Sequence, residues 1–165
     1  MTVLYRYLED IDRALKAQAR YCAVALALAM PDICGSIEYP DEHSPGKRYR
    51  NWFDAWCGLH QSLMTAQDCW ALRCAYLHSG QDEFSGPVAD YAALGRIHFT
   101  HGTADGVWVS RFLPVPEPGK PGVLIPVEDF CRDMISSAIA WHKAAERDAH
   151  KADVLGKLME IRPAA

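Results

Sequence analysis

The sequence predicts a mainly α-helical domain: a bundle of four to five helices with a small antiparallel β insertion, at about residues 96–126, before the last long helix. Three observations predict it. Apolar residues recur at steps of three and four over most of the chain, short β-branched runs are confined to one segment, and Pro- and Gly-rich stretches separate the two regimes. At 165 residues the chain fits a single domain, 1–165, large enough to bury about two-thirds of its unfolded surface without metals or disulfides.

From the N-terminus, Leu4, Leu8, Ile11, Leu15, Ala19, Cys22, Leu26 and Ala29 form one apolar stripe of a long amphipathic helix. Pro31 is expected to end or kink it at Met30, with a further helical turn over residues 31–37. The small residues in its second half allow another helix close approach. The loop YPDEHSPG closes near Gly46, after which KRYRNWFDAW sets Tyr49, Trp52, Phe53 and Trp56 on one helical face. Lys47, Arg48, Arg50 and Asp54 surround the other face. Thr65 with Asp68 three residues on resembles a capping box that starts a helix near Ala66, and Gly80 stops that helix.

Arg96–Thr100, Val107–Leu113 and Val123–Ile125 are short β-branched or aromatic runs split by HGTADG and PVPEPGKPG, the pattern of an antiparallel meander. Past Pro126, the positions of Phe130, Met134, Ala138, Trp141 and Ala145 mark a last long helix, with a polar helical tail to about Ile161.

Composition narrows the functional classes. A net charge of -4 argues against a strongly electrostatic nucleic-acid binder, so any RNA contact is local. The first residues lack the layout of a secretion signal, and the run from Tyr21 to Met30 is about half the length of a membrane span. A cytoplasmic protein with no membrane association is expected. Six cysteines in that setting suit reduced thiols that pack as small hydrophobes. No phosphate loop or dinucleotide fingerprint is present, and no cofactor is expected.

The polar residues that stand out in an apolar context are Arg73 and His78 in ALRCAYLHSG. Together with DICGSIE, KRYRNWFDAWCG, DCWALRCAYLHSG and VEDFCRDMISSAIAWH, they make the chain resemble the HEPN superfamily, and within it small bacterial and plasmid proteins. The family's functional signature is an arginine followed, after four to six residues, by a histidine, and Arg73 and His78 fit it. The resemblance implies a metal-independent endoribonuclease, in many cases a toxin or defence effector with an antitoxin partner. It also implies a homodimer in which the motifs of two protomers meet over RNA. Other members have lost catalysis. The residue after the arginine is Cys74, where active members often carry Asn, Asp or His.

The residue types suit that chemistry. Attack by a 2′-hydroxyl needs a group that exchanges protons near neutrality and a fixed cation for the phosphate, which imidazole and guanidinium supply. Their spacing is a difficulty: five residues on a helix put the two side chains roughly 140° apart with about 7.5 Å of rise. Convergence requires His78 to sit where the helix frays with Arg73 reaching toward it, or a second protomer. The bland alternative pairs Arg73 with a carboxylate such as Asp32 or Glu38 and leaves His78 as a helix cap. Lys47, Arg48 and Arg50 are the candidate substrate-binding cations, at the mouth of an RNA cleft beside aromatic residues.

Three other constellations are weaker. Cys57 and His60 have zinc-ligand spacing, but Cys69 and Cys74 diverge on a helix and complete no site, so no metal is expected. His98 and His101 read as solvent-facing hairpin residues. Nucleophilic catalysis needs an electropositive, accessible thiol, and Cys74 beside Arg73 is the one candidate.

Overall fold

A computed structural model describes residues 2–57, 64–104, 107–108, 113–116 and 118–161. The chain begins with α1 (Val3–Lys16), which buries Leu4, Leu8 and Ile11. α2 (Arg20–Glu38) is the central helix and packs against α1 and the later helices. By length and composition alone α2 is apolar enough to cross a membrane, and half of that apolar window is buried inside the fold.

The expected continuous helix from Leu4 to Met30 is therefore two helices. Gln18 takes a left-handed conformation with φ 61°. Its N–H donates to Leu15 O at 3.0 Å, and Ala19 N–H donates to Ala14 O at 2.8 Å. This pattern closes α1 as a Schellman turn, with glutamine where glycine is usual. The turn changes the phase of the stripe, so Ala23, Val24, Ala27 and Leu28 are buried while Cys22 faces solvent. Pro31, expected to end or kink the helix, lies inside α2 and is buried. It withholds a single backbone donor, and the helix runs on to Glu38.

α3 (Pro45–Trp56) starts with proline at its first position and buries Tyr49, Trp52 and Phe53, as its spacing predicts. Two glycines set its position. A Cβ on Gly35 of α2 would lie 2.8 Å from Arg48 O, and one on Gly46 would lie 2.9 Å from the indole of Trp70. α2 thus approaches the α3 backbone closely, and the start of α3 rests on the Trp70 ring. Trp70 belongs to α4 (Ala66–Ser79), which has the expected capping box and ends at Gly80 with φ 65°. Asp68 is fully buried yet satisfied. Oδ2 accepts from Thr65 N (2.8 Å) and Thr65 Oγ1 (2.7 Å), and Oδ1 accepts from Leu94 N (2.9 Å).

A short helix, α5 (Pro87–Asp90), leads into the β segment. Strands β1 (Arg96–Thr100), β2 (Thr103–Ala104), β3 (Val107–Trp108), β4 (Leu113–Val115) and β5 (Gly122–Pro126) follow. The expected antiparallel meander is corrected here. The larger sheet is mixed, in the order β1-β5-β4, with β1 parallel to β5 (Ile97 opposite Val123) and β4 antiparallel to it. β2 and β3 form a separate antiparallel pair. β5 is the central strand and four of its five residues are buried; its pairing with β1 on one edge and β4 on the other satisfies backbone groups that burial takes from water. The segment between β1 and β5 is long enough for a parallel crossover.

β5 runs directly into α6 (Val127–Ala145), which buries Phe130, Met134, Ala138, Trp141 and Ala145. α7 (Ala149–Leu155) is capped by Asp148 and stops short of the expected helical tail to Ile161. It docks through Lys151, whose Nζ donates to Glu38 Oε2 (2.7 Å), an oxygen that also accepts from Trp141 Nε1 (2.8 Å). The architecture is mainly α, with five helices of twelve or more residues, two short ones and a small three-stranded sheet among the described residues.

Candidate functional site

α2 and α4 lie in contact, and this places Asp32, one residue past Pro31, opposite Arg73. Arg73 Nε donates to Asp32 Oδ2 at 2.7 Å. The guanidinium carbon stands 5.2 Å from the centroid of the Trp70 ring, one helical turn back. Arg73 Nη1 donates to His78 Nε2 at 3.0 Å. The two motif residues therefore meet within one chain, although their Cβ directions diverge. α4 stays helical through Ser79, so no fraying is needed; the long arginine side chain spans the separation.

The contact fixes a chemical state. Guanidinium only donates, so His78 Nε2 must be unprotonated when it accepts from Arg73, and the ring proton lies on Nδ1. His78 is exposed, whereas the Arg73 and Asp32 side chains keep 21% and 24% of their accessible surface. The ion pair is sunk and the histidine is its open end. Burial raises the Asp32 carboxyl from its ordinary value of 3.8, against the lowering pull of the Arg73 hydrogen bond and the charges of Arg73 and Arg48. For Arg73, burial opposes the cation, but the hydrogen bond and charge of Asp32 outweigh it and raise the guanidinium from its ordinary value.

The three basic residues of α3 are divided. Arg48 is on the side of Asp32 and acts on it electrostatically. Lys47 and Arg50 line a groove of about 720 Å³ with Asn51, Gln67, Trp70 and Tyr91. Trp70 borders both places: it lines the groove and carries Arg73 over its ring. Sequence reasoning named Asp32 as a partner but missed Trp70, whose position three residues before Arg73 was the available signal.

His60 lies outside the described residues, and among the described residues no group of three or more His, Cys, Asp or Glu side chains could hold a metal. Cys69 is buried against the Tyr49 hydroxyl at 3.2 Å. Burial pushes the Cys74 thiol up from its ordinary value despite the lowering effect of Arg73, the opposite of an activated nucleophile. His98 Nδ1 stands 3.6 Å from Asp82 Oδ2, and His101 is exposed. No family model, curated protein or solved structure matches the chain.

Proposed function

We propose that this chain is a metal-independent endoribonuclease of the HEPN type, a cytoplasmic toxin or defence effector that acts as a homodimer, with Arg73 and His78 as its catalytic residues. The observation that supports it is the contact of Arg73 Nη1 with His78 Nε2 at 3.0 Å, at the exposed end of α4 and with Arg73 anchored from behind by Asp32. An RNA phosphate competes with His78 for the Nη groups of Arg73, while Nε keeps its bond to Asp32. Once Arg73 turns to the phosphate, the lone pair of His78 Nε2 is free to accept the proton of the 2′-hydroxyl. The 2′-oxygen then bonds to phosphorus, the bond to the 5′-oxygen breaks, and that oxygen takes a proton from the second protomer's histidine, which takes up a solvent proton and becomes imidazolium once its own arginine has turned to the phosphate. The products are a 2′,3′-cyclic phosphate and a 5′-hydroxyl, and the two histidines exchange roles when the cyclic ester leaves.

A second reading is a catalytically silent dimer that binds RNA or a protein partner. The engagement of Arg73 by both Asp32 and Trp70, as in a structural ion pair, favours it, as does Cys74 after the motif arginine. Incubation of the purified protein with RNA in EDTA separates the two. The nuclease reading expects cleavage that His78→Ala abolishes, and equal cleavage by the variant excludes this pair.

A further inference from the structure

We propose that the groove between α3, the start of α4 and α5 is a nucleotide-binding subsite that holds a single-stranded RNA segment next to the cleavage site. The proposal rests on the reading of Arg73 and His78 as an RNA-cleaving pair, but concerns different side chains.

The groove offers the three contacts a nucleotide takes. A stacking surface comes from Tyr91, 81% exposed at the rim, while Trp70, covered by Arg73, Tyr49 and the start of α3, supplies the apolar wall behind it. A base presents a π-face whatever its identity, so such a ring holds single strands with little sequence preference. Hydrogen-bonding groups come from the carboxamides of Asn51 and Gln67; the Gln67 side chain is oriented by its Nε2 bond to Val88 O at 2.9 Å. The phosphate contact falls to Arg50, because Lys47 is engaged by Glu42 at 2.8 Å. Asp54 also lines the groove; burial raises its carboxyl from the ordinary value against the electrostatic pull of Arg50. The groove is thus close to neutral, which suits a base with one phosphate better than a run of phosphates.

Continuity with the motif comes from Trp70. One indole supports Arg73, borders the groove and is the surface on which Gly46 positions α3. A strand leaving the phosphate at Arg73 meets this groove across the width of one side chain.

The test uses a short, fluorescently labelled 2′-O-methyl oligoribonucleotide of mixed sequence, which lacks the attacking hydroxyl and so reports binding alone. Wild type binds it, and Tyr91→Ala weakens binding by roughly five-fold or more through lost stacking. Arg50→Glu weakens it and lowers the slope of log affinity against log salt by about 0.7, one phosphate contact on a single strand. Both residues lie on the surface, so circular dichroism serves as the folding control. Binding by both variants equal to wild type, or no binding by wild type, overturns the groove proposal. RNA cleavage that depends on His78 would then leave the nuclease reading intact. Conversely, groove-dependent binding without cleavage of ordinary RNA sinks the nuclease reading and leaves the subsite standing.

Discussion

Asp32 and Arg73, brought together from α2 and α4, form an ion pair at 2.7 Å whose far end is the imidazole of His78. Burial raises the Asp32 carboxyl from 3.8, so the folded chain holds that proton more tightly than the unfolded chain does. Stability from this source is full below the unfolded value and is lost as pH rises through the raised folded value. Wild type therefore loses stability relative to Asp32→Asn as the pH climbs through that window. Urea midpoints measured across it check the sign, and parallel curves for the two proteins would contradict it.

The Arg73 contact also dictates a tautomer. In the free protein, ¹⁵N shifts are expected to show the neutral His78 ring protonated on Nδ1 with Nε2 as acceptor. Arg73→Ala releases Nε2, and the ring moves toward the mixture of a solvated histidine. A wild-type ring protonated on Nε2 would mean the two residues do not meet in solution.

At the other end of α4, Thr65→Ala removes the side-chain cap on Asp68 N and costs about 1 kcal/mol of stability. Asp68→Ala costs more. It abolishes the reciprocal bond to Thr65 and strands the Leu94 N–H, a buried donor whose loss of partner adds roughly 1–3 kcal/mol. Denaturant midpoints in which the two substitutions cost the same would show that the bond to Leu94 contributes nothing.

Thiol reactivity follows burial. Burial pushes the Cys57 and Cys131 thiols up to about 12 and raises Cys34 and Cys69 as well. Brief alkylation of the native protein near neutral pH is expected to label exposed Cys22 first and half-buried Cys74 more slowly. Mass spectrometry should find Cys34, Cys57, Cys69 and Cys131 modified only after unfolding. Rapid labelling of Cys69 in the native protein would contradict its place beneath Tyr49.

Features written in local chemistry were legible in the sequence. The capping box of Thr65 and Asp68, the stop at Gly80 and the aromatic face of α3 each depend on residues within one turn. The break between α1 and α2 was not legible, because Gln18 adopts a conformation that sequence reading reserves for glycine, and no proline marks the site. The mixed sheet was hidden for a different reason. Strand order is set by long-range pairing, here of β5 with both β1 and β4, which no local run of residues specifies. At the site, Asp32 could be named as a partner because a half-buried arginine requires an anion. The contact of Arg73 with His78 was legible only for a frayed helix end or a second protomer, since helical rotation fixes Cβ directions and does not tell how far an arginine reaches along an intact helix.

Whether Arg73 and His78 cleave RNA is decided by cleavage rates in EDTA for wild type, Arg73→Ala and His78→Ala. Wild type is expected to give products ending in 2′,3′-cyclic phosphate, with each substitution slowing the rate by about 10²-fold or more, as for loss of a general acid–base group or of the phosphate's cation. Cleavage by both variants at the wild-type rate, or no cleavage by any of the three, would contradict that role for Arg73 and His78.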